Sequence, residues 1–307
     1  MGQGNVGIKV HFGEAGCTTY INPNYVKIIY EKIISLGFTA SLIECNVLYK
    51  GSRTNASSHI KTALSHGFDF APIDILDGEE SKDFVEIDGC KIGKGIEKYD
   101  SIFVLSHFKG HVFTGFGGAL KNVGMGLGSR AGKLDMHCSV KLSVNANKCI
   151  SCGLCINKCD VCAIAFDDNG KAKIDNNKCI GCAMCIAVCP NGAVNIPWDS
   201  KNEGELQKRI VDYTKAIINN KNGNLVYLNV LENITSHCDC EGKAQKPVIN
   251  DIGFLTSNDI VAIEQASLDL ANECGFKEIN KSIDKEIQID YAEKMGLGER
   301  EYEIIKN

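Results

Sequence analysis

A chain of 307 residues, 44% hydrophobic and 23% charged, has the composition of an ordinary globular protein and length for about two domains. Its net charge of −5 argues against a nucleic-acid-binding surface, and no apolar run approaches the roughly 20 residues of a membrane span. The opening M-G-Q-G-N-V-G-I-K-V has no basic stretch, apolar core or cleavage site, and Val6 breaks the myristoylation pattern, so the 16 cysteines are expected in a reducing, anaerobic cytoplasm, kept for metal.

Residues 5–12 alternate as a strand, with Lys9 and His11 on one face and Ile8 and Val10 on the other, ending at Gly13-Glu14. Gly2, Gly4 and Gly7 fit G-x-G-x-x-G, but they precede the strand instead of opening a helix after it, so no dinucleotide site is assigned. The spacing predicts a helix from Pro23 to Leu36, capped by Asn22 and ended by Gly37. A strand from Phe38 to Glu44, a polar loop from Tyr49 to Asn55, a helix from Ala56 to Ser65 and a strand from Pro72 to Leu76 follow. Phe84 to Ile92 reads as a hairpin turning at Asp88-Gly89, and Ser101 to Ser106 as a buried parallel strand. This alternation predicts an α/β domain with a largely parallel sheet, whose ligands bind beyond the carboxyl ends of the strands.

That rule selects His11 and Glu14 after the first strand, and His107, Lys109 and His111 after Ser106. Glycines then crowd the chain at 110, 115, 117, 118, 124, 126, 128 and 132, a density that disfavours regular structure and suits a loop closing over a ligand. It is not a Walker A loop, because Leu127 stands where glycine is needed and Leu134 follows Lys133. Lys109, Lys121, Arg130 and Lys133 would neutralise a small anionic ligand.

Cys149, Cys152, Cys155 and Cys159 have the spacing C-x2-C-x2-C-x3-C, and Cys179, Cys182, Cys185 and Cys189 repeat it before Pro190. This is the two-cluster bacterial ferredoxin run, in which the fourth cysteine of each run ligates the other cluster. One [4Fe–4S] cluster is therefore assigned to Cys149, Cys152, Cys155 and Cys189, the second to Cys179, Cys182, Cys185 and Cys159. Paired zinc knuckles and a secreted disulfide framework both fit the two runs poorly. Asp160 stands where the pattern has proline, and Cys162 is a ninth thiol that could replace Cys159 or stay free; the regular spacing favours Cys159. The expected architecture is an α/β domain from 1–145 and 199–307, with a largely parallel sheet and an inserted ferredoxin-like 2[4Fe–4S] module at 146–198.

Beyond the module, Gly204 to Asn220 has helical spacing and Asn224 to Val230 reads as a strand. His237, Cys238 and Cys240 could bind a third metal or offer a reactive thiol. A helix is expected to start near Ser257 as cap, with Asp259 in its first turn. Cys17, Cys45, Cys90, Cys138 and Cys274 read as buried small hydrophobes.

Several stretches carry a resemblance: K-V-H-F-G-E (Lys9 to Glu14), L-Y-K-G-S-R-T-N-A (Leu48 to Ala56), S-H-F-K-G-H (Ser106 to His111), G-F-G-G-A-L-K-N-V-G-M-G (Gly115 to Gly126), G-K-L-D-M-H (Gly132 to His137), C-D-C (Cys238 to Cys240) and the run from Asp251 to Ser267. Through them nearly the whole chain resembles the uncharacterised Fe–S center proteins built on the domain of unknown function 362. The resemblance implies a ferredoxin-like insertion in the main domain and brings no reaction with it. Asp160 and Cys162 depart from the family's expected pattern and bear on the cluster that Cys159 completes.

Two functions fit. In an oxidoreductase, the clusters exchange electrons with a soluble donor or acceptor and serve a site lined by Lys9, His11, Glu14, His107, Lys109, His111, Lys121, Asn122 and Lys133. In a non-enzymatic electron-transfer or cluster-carrier protein, the α/β domain is a docking platform. Convergence of these residues with Cys238 and Cys240 on one pocket near a cluster favours the enzyme.

Overall fold

Along the first strand Val6 and Ile8 pack to one side, Gly7 and Lys9 to the other, and the chain builds an apolar layer on each. The structure, a computed structural model, describes residues 4–138, 142–198 and 203–306; Gly2 and the expected domain boundary at 199 lie outside them. The first half runs β1 (Asn5–Lys9), α1 (Pro23–Ser35), β2 (Thr39–Glu44), α2 (Ala56–Ser65) and β3 (Ile73–Ile75). The Asn22 side chain accepts the Asn24 N–H at 3.0 Å to start α1, Pro23 follows, and Gly37 at φ 87° stops it. A hairpin of β4 (Phe84–Ile87) and β5 (Cys90–Gly93) turns at Asp88 and Gly89, both at positive φ, as a two-residue hairpin requires.

The strand β6 (Ser101–His107) returns to the free side of β1. A ribbon of β7 (Lys109–His111) and β8 (Gly115–Gly117) leads into α3 (Ala119–Leu127) and α4 (Arg130–His137). The glycine-rich stretch is therefore mostly helix, not the ligand-closing loop expected from its composition. Its glycines serve close approach: a Cβ on Gly124 would stand 2.2 Å from the Ile210 carbonyl oxygen, and one on Gly126 2.5 Å from Lys9 Cε. Gly124→Ala should cost about 1–3 kcal/mol through overpacking. Urea titration would measure this, and an unchanged midpoint would contradict it.

A small unit follows, with β9 (Ser143–Val144), α5 (Leu154–Asn157), β10 (Ile164–Phe166), β11 (Ala172–Ile174), α6 (Met184–Val188) and β12 (Val194–Asn195). It repeats a short helix after each cysteine loop, and pairs β10 with β11 and β12 with β9. Leu48 and Leu134 of the main domain enter its apolar cluster beside Leu142, Ile164 and Ile186. Lys50 Nζ donates to the Pro190 carbonyl at 2.6 Å, and Lys82 lies 2.9 Å from Asp160.

The chain resumes with α7 (Glu203–Asn220), β13 (Leu225–Leu231), β14 (Gly253–Ser257), α8 (Ile260–Glu273) and α9 (Ile287–Lys294). The sheet order is β14-β13-β6-β1-β2-β3, parallel throughout except for the antiparallel edge strand β14. Helices α1 and α2 cover one face over Val6, Ile8 and Leu42; α3, α7 and α8 cover the other over Ile102 and Val104. Because β2 and β3 extend one way from β1 while β6 and β13 extend the other, the direction of winding reverses between β1 and β6.

Three local expectations are corrected. The first strand ends at Lys9, so His11 lies in the segment beyond it. Asp259, not Ser257, is the cap of α8; its Oδ1 accepts the Val261 and Ala262 N–H groups at 2.8 and 2.9 Å, and Ser257 Oγ accepts the Asp259 N–H. Cys17, Cys45 and Cys90 are buried as expected, but Cys138 is only partly buried and Cys274 is exposed. Among the described residues, no helix is long and apolar enough to cross a membrane.

Candidate functional site

The carboxyl ends of β1, β2, β6 and β13 open on one cavity of about 390 Å³, at the switch point where ligands bind open α/β sheets. Each end contributes polar groups: His11 after β1, Glu44 and the Val47–Arg53 segment after β2, Lys109 and His111 after β6, Cys238 and Cys240 after β13. Helices α3 and α4 add Lys121, Asn122, Met125, Lys133 and His137. Trp198, just beyond β12, closes the wall with its ring edge-on to His137 at 4.8 Å.

Beneath the cavity lies Lys9, 0% exposed. Its Nζ sits 3.0 Å from Glu44 Oε1 and donates to Asn122 Oδ1 at 2.7 Å, while the Asn122 amide donates to the Leu105 carbonyl at 2.8 Å. Burial pulls the Lys9 ammonium below its usual range, with Glu44 opposing. Glu14 does not reach the cavity. It accepts from Arg53 Nε at 3.2 Å and from the Ser52 N–H at 2.5 Å, clamping the loop that delivers Arg53. Burial raises the Glu14 carboxyl, but Arg53 and the Ser52 bonds more than offset this and hold it below the usual value.

Arg53 Nη1 lies 3.0 Å from His11 Nε2, and the Gly13 N–H lies 3.1 Å from His11 Nδ1. A neutral imidazole carries one proton and can accept on only one of these nitrogens. Burial holds His11 well below its usual range, with Arg53 and Lys109 adding to the effect. Burial likewise depresses His111, with Lys121 second; its Nδ1 accepts the Phe113 N–H at 3.3 Å. Lys109 is 7% exposed. Burial disfavours its charge, yet Asp239 and the thiols of Cys238 and Cys240 win, and its ammonium titrates above the usual range.

His107 faces away from the cavity. Its Nδ1 lies 2.7 Å from Asp239 Oδ2 and its Nε2 2.9 Å from the Glu232 carbonyl, so it positions Asp239 rather than meeting a ligand there. His237 also lies outside the lining, with Nδ1 2.9 Å from Glu241 but out of line for a hydrogen bond. Cys238 and Cys240 face the cavity without it. Among the described residues, no group of three or more His, Cys, Asp or Glu is disposed to hold a single metal ion. Glu264 occupies the start of α3, accepting the Ala119 N–H at 2.6 Å, and burial pushes its carboxyl up to about 7.

The cysteine runs border two further cavities in the small unit from β9 to β12. One is lined by Cys149, Cys152, Cys155 and Cys189, the other by Cys159, Cys179, Cys182 and Cys185, with Cys155 bordering both. The Ala163 N–H donates to Cys159 Sγ at 3.2 Å and the Ala193 N–H to Cys189 Sγ at 3.1 Å. Cys162 is exposed, at φ 49°, and lines neither.

Sequence reasoning named His11, Lys109, His111, Lys121, Asn122, Lys133, Cys238 and Cys240, which the fold brings together. It missed Glu44, Tyr49, Arg53, His137 and Trp198 as lining groups. Arg53 and Tyr49 follow β2, so the carboxyl-end rule applied to that strand would have found them. A search of curated proteins finds no match. The family model of the domain of unknown function DUF362 matches residues 6–269, a span that holds every polar group of the cavity. Since that match takes in most of the chain, from the first strand to α8, the protein belongs to the DUF362 family.

Proposed function

We propose that the protein is an iron–sulfur oxidoreductase in which residues 146–198 form a ferredoxin-like module holding two [4Fe–4S] clusters, and the cavity of the α/β domain receives a small organic anion. The observation that carries this reading is a shared wall. Leu48 lines the cavity and also belongs to the apolar cluster that encloses Cys155, Cys159, Cys179 and Cys185, and Trp198 does the same. The thiol sets fit the clusters: Cys149, Cys152, Cys155 and Cys189 border one small cavity, Cys159, Cys179, Cys182 and Cys185 border the other together with Cys155, and backbone amides donate to the fourth sulfur of each run. Cysteines around a cubane bind four different irons, so they are spaced more widely than the ligands of one ion, which is consistent with the lack of a single-ion site among the described residues.

When bound, the clusters supply one-electron transfer. The chain's own residues do the rest. Lys109, Lys121, Lys133 and Arg53 concentrate positive charge in a protein of net charge −5, which favours an anion. Val47, Leu48, Met125, Phe113 and Trp198 exclude water and seat an apolar body. His111, neutral and accepting at Nδ1, can carry a proton on Nε2. The partner would be a soluble electron carrier of the cytoplasm. The convergence of these groups favours the enzyme over a carrier whose α/β domain only docks.

The test uses protein reduced with dithionite, freed of excess reductant and mixed with a panel of small organic acids. Reoxidation, read as recovery of visible absorbance, should occur with an anionic acceptor and slow about tenfold in Lys121→Ala. Equal rates in the two proteins, or reoxidation by protein acceptors alone, would leave the carrier reading in its place.

A further inference from the structure

The two thiols of the cavity have no part in the electron path proposed above. Cys238 is 5% exposed and Cys240 is partly buried, and both border the cavity with Lys109 and Lys121. The Cys240 N–H donates to Cys238 Sγ at 3.5 Å. The turn that carries them is fixed from behind. Asp239 is held by His107 at 2.7 Å, Thr19 at 3.1 Å and Lys109 at 3.4 Å, and its carbonyl accepts the Glu14 N–H at 2.9 Å. His237 lies outside the lining, so the pair falls short of the four ligands of a structural zinc site. Two neighbouring thiols on a rigid turn, with no third ligand among the described residues, suit exchange of a disulfide better than retention of an ion.

We propose that Cys238 and Cys240 are a redox-active dithiol that reduces small anionic disulfides in this cavity by thiol–disulfide exchange. The anion preference rests on the cavity being the ligand site described above; the dithiol chemistry does not require the clusters. Cys238 gives its proton to solvent, and its thiolate attacks one sulfur of R–S–S–R, forming a Cys238–S–S–R mixed disulfide and releasing R–S⁻, which takes a proton back from solvent. Cys240 then loses its proton and attacks Cys238 Sγ, releasing the second R–S⁻, which that proton neutralises, and leaving a Cys238–Cys240 disulfide. Two protein thiols and one disulfide become one protein disulfide and two small thiols, so atoms and electrons balance. The order follows from the surroundings. The Cys240 thiol beside it, with Lys121 and Lys109 nearby, holds Cys238 well below the usual thiol range despite burial, while Cys238 and burial push Cys240 up.

The experiment treats cluster-loaded protein anaerobically with dithiodiglycolate, a dianionic disulfide, then alkylates free thiols and maps peptides by mass spectrometry. Wild type should form the Cys238–Cys240 disulfide. Cys240→Ser should stop at a glycolate adduct on Cys238, and Cys238→Ser should leave Cys240 at least about tenfold slower to react. The ratio of rates with dithiodiglycolate and with dicationic cystamine should fall about tenfold in Lys121→Ala. Absence of the Cys238–Cys240 disulfide in wild type, an adduct on Cys240 at the wild-type rate in Cys238→Ser, or an unchanged ratio in Lys121→Ala would each overturn the proposal. Wild-type mapping decides the central step even where a variant fails to fold. Iron is assayed on the same samples, so failure of the cluster reading and failure of the dithiol are read separately.

Discussion

Lys9→Met should destabilise the protein by about 3–5 kcal/mol, more than any surface substitution. The side chain is fully enclosed, and its loss leaves the Glu44 carboxylate, itself 3% exposed, with no cation at 3.0 Å. Asn122 Oδ1 also loses its 2.7 Å donor, and Asn122 helps to line the cavity floor. Most of the cost is the orphaned buried charge rather than the net value of the pair. The double variant Lys9→Met/Glu44→Gln should therefore recover most of the loss. Urea titration with an unchanged slope would measure both. A single-variant cost below about 1 kcal/mol, or no recovery in the double variant, would mean that the pair is hydrated or dispensable.

Cys189→Ser should empty the cluster of the opposite run, the one bordered by Cys149, Cys152 and Cys155, and so remove about half of the iron. Cys159→Ser should do the same to the set of Cys179, Cys182 and Cys185. Cys162→Ser should leave the iron unchanged, since Cys162 is exposed and borders neither cavity. Iron analysis of the three variants separates crossed from uncrossed ligation. Retention of both clusters in Cys159→Ser together with loss in Cys162→Ser would reassign the fourth ligand.

The sheet was legible because its strands are short apolar runs between turn residues that punctuate plainly: Asn22-Pro23, Gly37, Asn55 and Asp88-Gly89. The convergence of His11, Lys109, His111 and the C-x-C turn was legible for a topological reason, since neighbouring parallel strands open on the same side. The helices α3 and α4 were not legible. Glycine lowers helix propensity locally, but the packing of Gly124 against Ile210 and of Gly126 over Lys9 is set by residues far away in sequence. Glu14 and His107 were misread as cavity groups because position near a strand end does not fix the direction of a side chain. Arg53 and Asp239, which hold those two side chains, come from distant segments. The edge strand β14 carries Phe254 outward at 50% exposure, so it lacks the simple apolar run that marked the buried strands.

The proposed electron path requires two clusters held against the wall of the α/β cavity. Iron and acid-labile sulfide analysis of anaerobically reconstituted protein, with EPR of the reduced state, tests it most directly. About eight irons and eight sulfides per chain are expected, with the signals of two interacting cubanes. About four irons, or none, in folded protein would contradict it.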